Sequence, residues 1–88
     1  MKVIVLYHPQ SEHSRAVEEF AHDFTRQHPD AKIELLSLES PDGSHFAELY
    51  DVMSYPTVMA LRDDGELLKS WSDPVLPLMN EVAFYATQ

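Results

Sequence analysis

The sequence contains no cysteine. No disulfide can staple the chain, and dithiol–disulfide exchange is chemically excluded. The same absence leaves the redox compartment unreported, because disulfide use is what distinguishes one. Cations are scarce as well: 6 Lys and Arg stand against 15 Asp and Glu, a net charge of −9. Nucleic acids and anionic membrane surfaces are bound by neutralising phosphates with Lys and Arg, so both are disfavoured as partners. The acidity serves solubility, or it faces a basic partner. No apolar run approaches the roughly 20 residues that span a bilayer. Repeats, linkers and low-complexity stretches are missing too.

What is present is enough for one compact domain over residues 1–88, with 44% hydrophobic and 24% charged residues. Val3 to Tyr7 is a continuous apolar run, too short for a helix and rich in β-branched residues. It reads as a strand buried on both faces. It is short and no small-residue cleavage site precedes the polar turn, so it reads as a buried strand and not as a signal peptide, and a cytoplasmic location is the default expectation. Pro9 ends the strand, and Ser11 is placed to cap a helix. Val17, Phe20, Ala21 and Phe24 then recur at helical spacing, with Glu18, Glu19, Asp23 and Arg26 on the other face. His28-Pro29-Asp30 stops that helix.

Ile33, Leu35, Leu36 and Leu38 suggest a second strand, and Ser40-Pro41-Asp42-Gly43 a turn or cap. A short helix follows, with Phe46, Leu49 and Tyr50 on one face. Thr57 to Leu61 is a third strand, Asp63-Asp64-Gly65 a hairpin turn, and Glu66 to Trp71 a fourth strand. Asp73-Pro74, or Pro77, opens a last helix with Leu78, Met79, Val82 and Tyr85 as its apolar stripe. Trp71 and Phe84 are expected in the core or at its margin. Met53, Met59 and Met79 are expected as gap-fillers. A helix between the first two strands implies a right-handed parallel crossover, and the hairpin implies an antiparallel pair. The fold class is therefore α/β, β-α-β-α-β-β-α, a four-stranded mixed sheet with helices on both faces.

Two segments carry a family resemblance. Tyr50-Asp51-Val52-Met53-Ser54-Tyr55-Pro56-Thr57-Val58, followed by an apolar strand and the turn at Gly65, resembles the thioredoxin-like pattern around a cis-proline. Tyr7-His8-Pro9-Gln10-Ser11-Glu12-His13-Ser14, a strand running into a helix, falls where that family holds Cys-x-x-Cys. The resemblance covers the whole chain and implies the thioredoxin core without the extra N-terminal strand and helix. The departures are as informative. Ser11 and Ser14 stand where the family has both redox cysteines. Val5 stands at the place of the buried Asp of thioredoxins, which glutaredoxins also lack. Gln10 replaces a Trp often found before the first cysteine. A redox-inactive relative is implied.

The resemblance also implies a binding groove made by Gln10, Ser11, Ser14, Tyr55 and Pro56. In the family, the residue before the cis-proline, here Tyr55, offers its main chain to an extended peptide or to glutathione, a local strand addition. A serine near position 11 holds the glutathione thiolate in some glutathione transferases of this fold. As a plain N-cap, Ser11 would contribute about 1 kcal/mol to the helix. A Ser-His-acid triad from Ser11 or Ser14, His13 and Glu12 is disfavoured, since neighbours in one helical turn do not face each other.

The histidines His8, His13, His22, His28 and His45 show no i, i+4 pair of the kind that holds a metal on a helix. Only His8, His13 and the 54–56 loop have the chance to converge. No cofactor is expected. The reading is a redox-inactive module that binds a protein or peptide partner in the Ser11/Tyr55-Pro56 groove. The alternatives are a glutathione or small-thiol binding protein using Ser11 as donor, and a structural subunit or homodimer.

Overall fold

The computed structural model describes residues 2–72, 76–77 and 79–86. The elements run β1 (Lys2–Tyr7), α1 (Ser14–Gln27), β2 (Lys32–Ser37), α2 (Pro41–Leu49), β3 (Thr57–Leu61), β4 (Leu67–Trp71) and α3 (Met79–Ala86). They build one mixed sheet in the order β2-β1-β3-β4. β1 pairs parallel with β2 (Val5↔Leu35) and antiparallel with β3 (Val5↔Val58), and β3 pairs antiparallel with β4.

The two central strands are buried on both sides, as their unbroken apolar sequence demands. Alternation along β1 splits the core in two. Val3 and Val5 meet Val17, Phe20 and Phe24 of α1 and Val82 and Ala83 of α3. Leu6 and Met59 meet Ala47 of α2 on the opposite face. Helices therefore cover both faces. Val17, Phe20, Ala21 and Phe24 of α1 are all buried, and Phe20 and Phe24 stack at 6.1 Å.

Several local features differ from expectation. The first helix begins at Ser14, with His13 at its N-cap and no side chain capping it. Ser11 is not the cap, because its hydroxyl donates to the His8 carbonyl (2.6 Å) and closes a turn instead. Serine suits both jobs, and the carbonyl three residues back won. Leu38 lies past the end of β2, with its N–H bonded to the Tyr7 carbonyl. On α2, Phe46 and Tyr50 pack inward but Leu49 is 65% exposed. Phe84 is 60% exposed and so outside the core, because α3 turns Val82 and Ala83 to the sheet. Met59 does fill the core, whereas Met53 is 88% exposed and fills nothing. Trp71 and Met79 pack at the margin of the α1/α3 cluster. The expected helix start at Asp73-Pro74, and Leu78, lie outside the described residues.

The ends of α2 fix its place against the sheet. Ser40 caps it, accepting from the Gly43 N–H (3.1 Å) while donating to the Ser37 carbonyl (2.7 Å). Pro41 takes the first helical position, where no N–H is needed. At the other end, Val52 N–H bonds to Ala47 O and Asp51 N–H to Glu48 O, a Schellman closure with Asp51 left-handed at φ 54°. The β3–β4 hairpin turns through Gly65 at φ 93°, with the Tyr50 hydroxyl donating to its carbonyl. That bond ties the end of α2 to the hairpin.

Candidate functional site

The site lies where β1 leaves the sheet and β3 enters it, since Leu6 pairs with Thr57. Two turns meet there. The first is the His8–Ser14 turn. Ser11 donates to the His8 carbonyl through both N–H (3.1 Å) and hydroxyl (2.6 Å), and Ser14 N–H donates to Ser11 O (3.3 Å). His8 N–H donates to His13 Nε2 at 3.3 Å. His13 Nε2 is thereby an acceptor in this geometry.

The second turn is Val52–Thr57. The Tyr55–Pro56 bond is cis, Pro56 is buried, and Thr57 is buried with its hydroxyl donating to Ser54 O. Ser54 donates to Ser72 O (3.2 Å), which fixes the turn to the end of β4. Tyr55 donates its hydroxyl to Val52 O (3.2 Å), and its ring meets the His8 ring edge-on at 5.2 Å. So His8, His13 and Tyr55 do come together. The ring of Tyr55 is fixed from two sides. Its main-chain N–H and C=O bond to none of the described residues.

On the α2 side of Tyr55 opens a cleft of about 430 Å³. His8, Leu38, Ser44, Ala47, Glu48, Asp51, Val52, Met53 and Tyr55 line it. Of the expected site residues, only Tyr55 does so. Gln10 is exposed, Ser11 and Ser14 are half-buried on the α1 entry turn, and Pro56 is beneath the surface. The sequence reading missed the cleft, whose lining comes from three separated segments: His8, Leu38 and the 44–55 stretch. The spacing of Ser44, Ala47 and Glu48 on one face of α2 was the available signal.

The chemistry open to the site is narrow. Ser11 has one proton, and it goes to His8 O. His13 Nε2 accepts from a main-chain N–H and faces no serine hydroxyl, so the two do not make a nucleophile and base. Among the described residues, no three His, Cys, Asp or Glu side chains converge as metal ligands. None of the helices among them is long and apolar enough to cross a membrane.

No protein-family model matches the sequence, and no curated protein is similar to it in sequence. The fold is matched by solved structures. Thioredoxin 1 from Thermosipho africanus superposes with a TM-score of 0.71 at 16% identity, covering 97% of this chain and 89% of that one. Thioredoxin O2 from Arabidopsis thaliana gives 0.71 at 11% identity, over 94% and 69% of the two chains. The germline-specific thioredoxin Deadhead from Drosophila melanogaster gives 0.64 at 22% identity, over 94% and 76%. With these matches and the observed topology together, the chain has the thioredoxin-like fold, and it has that fold without a single cysteine.

Proposed function

We propose that this is a redox-inactive thioredoxin-like module that binds a protein partner through an extended segment laid across Tyr55. The observation that carries the reading is the state of Tyr55. Its side chain is held by His8 and by the Val52 carbonyl, while its main-chain donor and acceptor are left for a strand-like partner. Holding the ring in advance lowers the ordering cost of binding. The segment would run between the α1 entry turn, with Gln10 exposed on it, and the cleft on the α2 side.

The small-thiol alternative draws no support from this geometry. A thiolate needs a donated proton, and the Ser11 hydroxyl spends its own on His8 O. Capture of partners on immobilised protein, comparing wild type with Tyr55→Arg and with Gln10→Ala, tests the proposal. A partner retained by wild type and lost from Tyr55→Arg, with the circular dichroism spectrum unchanged, is the expected result. Equal retention by all three proteins would end the proposal.

A further inference from the structure

The cleft beside Tyr55 has walls of unlike character. Its floor is apolar: Leu38 and Val52 pack against the buried group of Leu6, Ala47 and Met59, and Ala47 itself lines the cleft. Its rim carries two exposed carboxylates, Glu48 and Asp51. Glu48 lies in the last turn of α2 and Asp51 in the left-handed closure just beyond it, and both line the cleft. Met53 stands almost wholly exposed at the mouth, and a flexible thioether suits a surface that adapts to a guest.

No Lys or Arg lines this cleft. Arg15, Arg26 and Arg62 pair with Glu19, Asp23 and Glu66. Lys2 and Lys32 are partners at the start of β1 and β2, the far end of the sheet from the Leu6–Thr57 pair, and Lys69 lies opposite Ala60. Among the described residues, neither Glu48 nor Asp51 has an ion-pair partner. Among the described residues, two carboxylates thus stand at the rim of an apolar trough with no Lys or Arg against them.

We infer that the cleft takes a basic-apolar segment of the partner, with an apolar side chain on Leu38, Ala47 and Val52 and a Lys or Arg against Glu48 and Asp51. This rests on the peptide-binding reading above and names the chemistry of its ligand. Charge complementarity selects the occupant. An acidic segment would meet two like charges, and a neutral one would leave both without a partner. Arginine suits the place better than lysine, because its stem can lie on the apolar floor while its fork reaches both carboxylates. A strand laid along Tyr55 points alternate side chains the same way. The anchor and the cation therefore stand two residues apart, as Leu-x-Arg.

Three blocked peptides of equal length, centred on Leu-x-Arg, Leu-x-Gln and Leu-x-Glu, would be titrated into isotope-labelled protein at low and high salt. Leu-x-Arg should move the amides of Val52, Met53 and Tyr55, and bind about fivefold to tenfold tighter than Leu-x-Gln at low salt. High salt should shrink that preference. Glu48→Gln together with Asp51→Asn should erase it and keep the weaker Leu-x-Gln binding; Asn tolerates the left-handed conformation, so the fold survives. Equal binding of all three peptides, lost in Tyr55→Arg, would overturn this inference and leave peptide binding standing. Shifts confined to Glu18, Glu19 and Asp23 of α1 would also overturn it, as attraction to a different acidic face. No shift at Tyr55 with any peptide would overturn both.

Discussion

Replacing Gly43 by alanine probes how α2 is seated. A Cβ built on Gly43 would stand 1.9 Å from Ser37 O and 2.8 Å from Ser37 C. Both are main-chain atoms at the end of β2, so no side chain can swing aside. Real Cβ contacts stay above 3.0 Å, so α2 would have to retreat by roughly an ångström. Retreat of that size forfeits about a quarter to a half of the dispersion contact under the helix. It also stretches the Gly43 N–H bond to Ser40, a cap worth about 1 kcal/mol. Overpacking of this kind costs about 1–3 kcal/mol. Against this, alanine is the better helix former by up to about 1 kcal/mol. The net expectation is a loss of about 2 kcal/mol, or a fall in Tm of about 8–16 °C for a domain of this size. Urea unfolding should show a lower midpoint at unchanged slope. A variant as stable as wild type, or more so, would refute the reasoning: helix propensity would have won and the β2–α2 junction would be looser than described.

Other substitutions separate stability from binding. Asp51→Gly relieves a non-glycine residue at φ 54° and should stabilise by about 0.5–1 kcal/mol in thermal melts. The same change removes a cleft carboxylate, so binding of a Leu-x-Arg peptide should weaken while Tm rises. Thr57→Val keeps the shape of a buried side chain but deletes the donation to Ser54 O; a loss of about 1–2 kcal/mol in urea unfolding is expected. Phe84→Glu, on a ring 60% exposed, should change stability by no more than about 0.5 kcal/mol.

The sheet was readable in advance because its signal is collective. β1 from Val3 and β3 from Val58 are unbroken apolar runs, and a run buried on both faces leaves little else to be. The hairpin at Gly65 and the stripe of α1 were equally plain, each being one pattern inside one segment. Ser11 was misread because a hydroxyl that can cap a helix can equally satisfy the carbonyl three residues before it. Phe84 and Met53 were misplaced because hydrophobicity states a preference, whereas exposure depends on which way α3 and the 50–55 turn rotate. At the site, the turn that carries Tyr55 was legible from the motif around Pro56. The cleft was not, since it is assembled from His8, Leu38 and the 44–55 stretch, which meet only after the sheet has formed.

The antiparallel pairing of β1 with β3 has a kinetic consequence. Leu6 and Thr57 are register partners across nearly the whole middle of the chain, so the two turns meet only when a loop of that length closes. Contacts so distant in sequence form late and slowly compared with helices. The His8–Tyr55 junction should thus appear with the cooperative transition and not before it. A bound ligand would then be felt throughout the molecule, slowing exchange of the deepest β1 and β3 amides as much as those beside it.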